Sequence, residues 1–143
     1  MAHTYDSLQV GDSFRWSRRI TPDDVRGFAD VTGDDNPLHL DTGYAAGTPF
    51  GRPVVHGVYV LGLASKVLGR DFPGHGSVAV SLQAKFLRPV PVGEEVTIEV
   101  KVAEKLERFR HVKIRLYAYV GGKIAVGGEA VVVPPPDSSG EPA

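Results

Sequence analysis

The chain has 143 residues, 42% of them hydrophobic, with 16 Lys and Arg against 17 Asp and Glu. That length suits one domain with a real core, since domains commonly run about 100–200 residues. A net charge of −1 without blocks of like charge argues against a nucleic-acid footprint. The lack of cysteine removes disulfides, thiolate metal sites and a Cys nucleophile. The start, MAHTYDSLQV, has no charged region followed by an apolar one, so it does not read as a secretory signal. The longest apolar stretch, VVHGVYVLGLASKVLG (54–69), contains His56 and Lys66. It falls short of the ~20 residues that span a bilayer. The expectation is a soluble, cytoplasmic domain with neither nucleic acid nor membrane as partner.

Phe14, Trp16, Arg18 and Ile20 alternate with mostly polar neighbours, which predicts a first strand. A helix start follows at TPDDV. Thr21 suits the N-cap, Pro22 the first helical position, and Asp23 and Asp24 the positive end of the helix dipole. Val25, Phe28 and Ala29 give this helix one apolar stripe, and Gly33 is a natural stop. The polar stretch TGDDNPLHLD (32–41) begins where that helix ends. Asn36 precedes Pro37 and so is biased away from the α region. Any helix around Asp41–Ala46 is therefore short.

The run 54–69 is apolar nearly all round, as for a helix buried on most sides. Gly57, Gly62 and Ala64 would let other backbones approach it closely. From Ser77 the period changes to two. Val78, Val80, Leu82, Ala84 and Phe86 share one face. So do Val96, Ile98, Val100 and Val102, and then Val112, Ile114, Leu116, Ala118 and Val120. Gly121-Gly122 is a two-residue hairpin signal. Ile124 to Val133 reads as a last strand with a bulge at Gly127-Gly128. The tail PPPDSSGEPA (134–143) has no apolar anchor and is expected to be disordered, leaving 1–133 as the domain. One greasy helix with no second helix layer must be covered by the sheet itself. The expected class is α+β: a single hot-dog fold, a curved antiparallel sheet wrapped around a central helix, with its last four strands joined as a meander.

Two places hold residues suited to chemistry. Asp34 and His39 lie five positions apart across a Pro-containing bend. In one reading Asp34 or Asp35 caps a short helix and His39 is a solvated loop residue. In the other the pair is an acid–base couple on a loop, where scaffolds present catalytic groups. The second place is RPVVHGVYV (52–60), which sets His56-Gly57 at the first turn of the apolar helix. Amides there have no intrahelical acceptor, and Gly57 lets an oxygen approach without a Cβ in the way. Gly57 serving only for tight packing is the competing reading.

The run from Thr32 to Gly69, with its Asn36-Pro37-Leu38-His39 and Arg52-Pro53-x-x-His56-Gly57, resembles the signature of MaoC-like dehydratases. More specifically, it is similar to the (R)-specific enoyl-CoA hydratases. The resemblance implies reversible addition of water to a trans-2-enoyl-CoA, giving an (R)-3-hydroxyacyl-CoA, with no cofactor and no metal. It places Asp34 and His39 on the family's catalytic pair. His39 is then the general base, and Asp34 orients the water and assists proton delivery to the α-carbon. Asn36 matches the supporting Asn, Gly57 the amide that faces the thioester oxygen, and Ser65 a helix Ser near the active site. Ser65 could equally bond the carbonyl four residues back. A homodimer is implied, with the substrate channel near the subunit boundary.

Other readings have less support. Asp34, His39 and His56 could be assembled into a metal site, but their spacings match no familiar ligand pattern. His3 and His111 read as surface residues, and His75 sits in a PGHG turn. Arg108, Arg110, Lys113 and Arg115 form either a solvated face or a contact for CoA phosphates. A hot-dog thioesterase or an acyl-carrier-protein dehydratase would want an acid on the central helix, and residues 54–69 contain none. A non-catalytic acyl-CoA-binding module fits poorly with retention of both Asp34 and His39.

Overall fold

The computed structural model describes residues 2–136. The first strand, β1 (Ser13–Arg19), leads into α1 (Pro22–Thr32), and the short helices α2 (Pro37–Leu40) and α3 (Thr42–Ala46) follow. The apolar helix α4 (Gly57–Lys66) runs on into a π-helical turn at Val67–Asp71. Four long strands complete the chain: β2 (Val78–Phe86), β3 (Glu95–Leu106), β4 (His111–Val120) and β5 (Lys123–Val133). All five strands form one antiparallel sheet in the order β1-β3-β4-β5-β2. Among the described residues, no helix is long and apolar enough to cross a membrane.

Local signals act where the sequence places them. Thr21 and Asp24 close a capping box, and Gly33 ends α1 in the left-handed region at φ 82°. Gly121 and Gly122 both take positive φ in the β4–β5 hairpin, as a type I′ turn requires. The inward residues of β3 and β4, including Val96, Ile98, Val100, Val112, Ile114 and Leu116, are buried. They pack in one cluster with Val60, Leu63, Ala64, Val67 and Leu68 of α4 and its π turn. Each fully buried aliphatic side chain stabilises the fold by about 1.5–3 kcal/mol.

Three expectations need correction and a fourth needs refinement. Only β3, β4 and β5 form a meander, because β2 pairs with β5 at the far edge of the sheet. The connection at residues 87–94, with Pro89 and Pro91, therefore crosses the sheet instead of turning back. It is held by Val55 N–H to the Val90 carbonyl (2.7 Å) and Val92 N–H to the Pro53 carbonyl (3.0 Å). Second, β2 has a register shift between Ala79 and Ser81. Ala79 pairs with Val132, and Leu82, Ala84 and Phe86 pair with Ala130, Gly128 and Val126, so the inner set is Ala79, Leu82, Ala84 and Phe86. An extra residue at a bulge flips the faces before it, which strict alternation cannot reveal.

Third, the β5 irregularity falls opposite Ala118/Tyr119, leaving Ala125 as the extra residue, while Gly127 and Gly128 stay in register. Gly128 answers a different need, because a Cβ there would collide with the Gln83 carbonyl oxygen of β2. The fourth point is a refinement: α4 is buried or half-buried on most sides, as expected, but one narrow stripe stays open. Val58, Gly62, Ser65 and Gly69 form an exposed stripe at helical spacing. At the chain's end, Pro134 and Pro135 are buried, and a Cβ at Gly76 would touch Pro135 at 3.4 Å. The expected disordered tail thus begins with residues packed on the body, and residues 137–143 lie outside the described residues.

Candidate active site

The stretch 32–41 is a chain of local caps that ends in a site. After Gly33 stops α1, Asp34 N–H donates to Thr32 Oγ1 (3.2 Å), and Asn36 N–H donates to Asp34 Oδ1 (3.3 Å). Asn36 Oδ1 then accepts Leu38 N–H (3.1 Å) and caps α2, with Pro37 in the first turn. Asp41 caps α3 through Tyr44 N–H (3.0 Å). The caps of the short helices are thus Asn36 and Asp41, not Asp34 or Asp35, although Asp34 Oδ1 does accept a turn amide. His39 is half-buried and held by a backbone carbonyl, so it is not a solvated loop residue. No hydrogen bond among the described residues uses the Asp35 carboxylate.

His39 Nδ1 lies 2.7 Å from the Val54 carbonyl oxygen. A carbonyl only accepts, so Nδ1 carries the proton and the neutral ring presents its lone pair at Nε2. Val54 itself is fixed by N–H donation to the Leu38 carbonyl (3.3 Å) and by a bridge to Pro91 of the crossover. The connection that crosses the sheet thus holds the acceptor that sets the His39 tautomer.

His56, the N-cap of α4, is 2% exposed. Its Nε2 lies 3.0 Å from the Asp34 carbonyl oxygen and donates to it. Its ring stacks on that of His39, with centroids 3.8 Å apart and an interplanar angle of 28°. Phe28 of α1 covers it from another side at 4.6 Å. Side-chain donor atoms of Asp34, His39 and His56 all fall within 4.8 Å of one another. Two imidazoles bind a common ion through lone pairs in their ring planes. Nearly parallel, stacked rings do not aim those lone pairs at one point, so this cluster is better built for proton transfer than for ligation.

Gly57 begins α4, and no side chain caps this helix at His56, so its first amides remain open to a ligand oxygen. A Cβ on Gly57 would lie 2.6 Å from the Phe86 ring, so a larger residue there would force that half-exposed side chain to move. An open, largely apolar cleft of about 400 Å³ runs alongside, lined by Phe50, Val54, Gly57, Val58, Phe86 and Leu87. It does not contain Asp34 or His39. The Val54–Gly57 segment joins the two: Val54 and Gly57 line the cleft, while the Val54 carbonyl holds His39 and His56 holds the Asp34 carbonyl.

The remaining sequence candidates scatter. Ser65 stands eight residues along α4 from Gly57, about 12 Å at 1.5 Å per residue. It lines a separate hollow of about 70 Å³ with Leu68, Ala79, Leu82 and Val132. Arg110 pairs with Asp6 at 3.2 Å and Lys113 with Glu104 at 3.6 Å, which ties two of the four clustered cations to acids. Beside the site, burial pushes the Tyr59 phenol above its ordinary value, and the Asp24 carboxylate adds to the effect. His56 is the residue whose role sequence reading missed. The available signal was a lone imidazole in the otherwise apolar run preceding Gly57.

Comparison with known proteins bears on the fold and the family. The family model described as a MaoC like domain matches residues 8–122. An (R)-specific enoyl-CoA hydratase from Aeromonas caviae is 44% identical over 128 residues, covering 88% of this chain and 95% of that protein. A 3-hydroxybutyryl-CoA dehydratase from Methylorubrum extorquens is 39% identical over 138 residues, covering 96% and 88%. The solved (R)-hydratase from A. caviae involved in PHA biosynthesis superposes with a TM-score of 0.88 at 43% identity, covering 91% of this chain and 98% of that one.

Proposed function

From the premise that this chain belongs to the MaoC-like dehydratase family, we propose that it is a hydratase acting on trans-2-enoyl-CoA. The product is the (R)-3-hydroxyacyl-CoA, and dehydration is the reverse reaction. The single observation that supports this best is His39, held as the Nδ1–H tautomer by Val54 in a cluster whose side-chain ligand atoms, with those of Asp34 and His56, lie within 4.8 Å of one another. Water between the two groups loses a proton to His39 Nε2 as its oxygen attacks the β-carbon. Asp34 orients that water. The electron pair of the double bond moves onto the thioester oxygen, which the Gly57 amide faces at the open end of α4. Return of the proton from the Asp34–His39 couple to the α-carbon completes the addition, so the atoms of one water are added and nothing is left over. The acyl chain runs along the exposed stripe of α4 from Gly57 towards the hollow at Ser65.

That stripe also bears on assembly. The inner face of β2 beside it is uncovered, with Leu82 41% and Phe86 54% exposed, and β2 is a sheet edge. An apolar edge and flank of this kind suit a second copy of the chain. The working enzyme is then a homodimer whose channel runs beside the subunit boundary, acting in the cytoplasm on soluble CoA thioesters.

The test follows loss of enoyl-thioester absorbance across a chain-length series, with chiral analysis of the product. An (R)-3-hydroxyacyl-CoA is the expected product. Release of free CoA thiol instead would indicate a thioesterase, and unchanged ligand a binding module. The absence of any Asp or Glu in residues 54–69 counts against the thioesterase outcome.

A further inference from the structure

Among the described residues, His56 is the only buried polar side chain, and its Nδ1 has no hydrogen-bond partner. Leaving such an atom unsatisfied costs about 1–3 kcal/mol. A leucine or phenylalanine would fill the space without that cost, so packing alone does not account for an imidazole here. Two contacts do. The Nε2–H holds the backbone carbonyl of Asp34 at 3.0 Å, and no apolar side chain can donate that bond. The ring face supports His39 at 3.8 Å.

We propose that His56 is a positioning residue that fixes both members of the acid–base pair relative to the Gly57 amide. The inference rests on the hydratase reading above. His39 is held at its edge by Val54 and at its face by His56, so its ring has no free rotation and Nε2 keeps one direction. Asp34 is anchored through its own carbonyl, so its carboxylate leaves the backbone from a fixed point. Four consecutive residues, Val54 to Gly57, thereby supply the acceptor for the base, the anchor for the acid and the amide for the oxyanion. A rigid link among the three matters because misplacement by about 1 Å can cost 10²-fold in rate.

Two substitutions separate the contacts. His56→Phe keeps a ring for His39 and loses the donor, while His56→Gln keeps an N–H donor at similar reach and loses the ring. Each variant is expected to lower kcat about 10- to 100-fold, with KM for crotonyl-CoA changing less than ~3-fold. Circular dichroism and titration of the folded fraction put kcat on a per-folded-enzyme basis. A residue that merely packs would alter melting and the folded fraction but leave that kcat alone. Wild-type ¹⁵N imidazole spectra give a readout that needs no variant. His39 should report protonated Nδ1 and His56 protonated Nε2, and the reverse tautomer at either ring overturns the proposal. So does a kcat in both folded variants within ~2-fold of wild type. If wild type hydrates crotonyl-CoA and the variants keep its rate, only the role of His56 is lost. If wild type itself fails to hydrate any enoyl-CoA, the hydratase reading falls, and this inference with it.

Discussion

The Asp34–His39–His56 cluster and the flank formed by β2 with the outer stripe of α4 differ in how much one chain supplies. In the cluster, local caps place Asp34 and Asn36, and the crossover pins Val54, so backbone partners for both histidine rings lie within the same chain. The flank presents Val58, Leu82 and Phe86 at 63%, 41% and 54% exposure, with nothing over them. The polar groups of the cluster are thus held by hydrogen bonds inside the fold, with His56 Nδ1 the exception. Apolar surface is left for something outside it. On the proposed reading, the site is preorganised for proton transfer within one chain, while the walls around its substrate are completed by a second copy.

The largest expected effect breaks the cluster. Asp34→Asn and His39→Gln each remove proton transfer, and general acid–base groups typically contribute about 10²–10⁴-fold. Turnover should fall by that order with the fold intact by circular dichroism. Asp35→Asn, one residue from the pair and free of side-chain hydrogen bonds, should stay within ~3-fold of wild type. Equal losses at positions 34 and 35 would mean that the segment is only a turn.

A smaller effect breaks the flank. Leu82→Asp places a charge on the inner face of β2, which is partly exposed in the single chain. If a second copy covers this face, an unpaired buried charge there costs about 3–5 kcal/mol, and symmetry repeats it in the other subunit. Light scattering should show monomer where wild type is dimeric, and activity should fall while the His39 tautomer is unchanged. A fully active Leu82→Asp monomer would refute the claim that the channel needs a partner.

The smallest effect sharpens the comparison by changing stability upstream of the cluster without touching it. Asp24 is partly buried, which raises its pKa. The Thr21 amide and hydroxyl and the Arg18 guanidinium outweigh that, and hold the carboxyl below its usual value of 3.8. Asp24→Ala removes half of the capping box and should cost about 1 kcal/mol. Because the folded pKa is depressed, the contribution is complete above the ordinary carboxylate value and is lost as pH falls through the native one. Melting curves of the two proteins should therefore differ at pH 7 and converge at the acid end. The rate per folded enzyme should not change.

Much of this was legible in the residues themselves. The capping box at Thr21–Asp24, the stop at Gly33, the Gly121-Gly122 turn, and the inward faces of β3 and β4 all follow from signals that act over a few residues. Asp34 and His39 were recognisable as candidates for an acid–base pair, by their place on a loop and by the family resemblance, and the Asn36 cap that turns the chain between them is local. Tertiary structure alone decided the rest. Period-two alternation says which face of β2 is apolar, but not that β2 pairs with β5, nor that a bulge near Val80 moves Val78 off the inner set. The role of His56 depends on a carbonyl 22 residues away and a ring from α2, which only folding brings together. The exposed stripe of α4 has the same origin. A helix that is apolar nearly all round announces that it will be covered, and the single chain covers all of it but one narrow stripe.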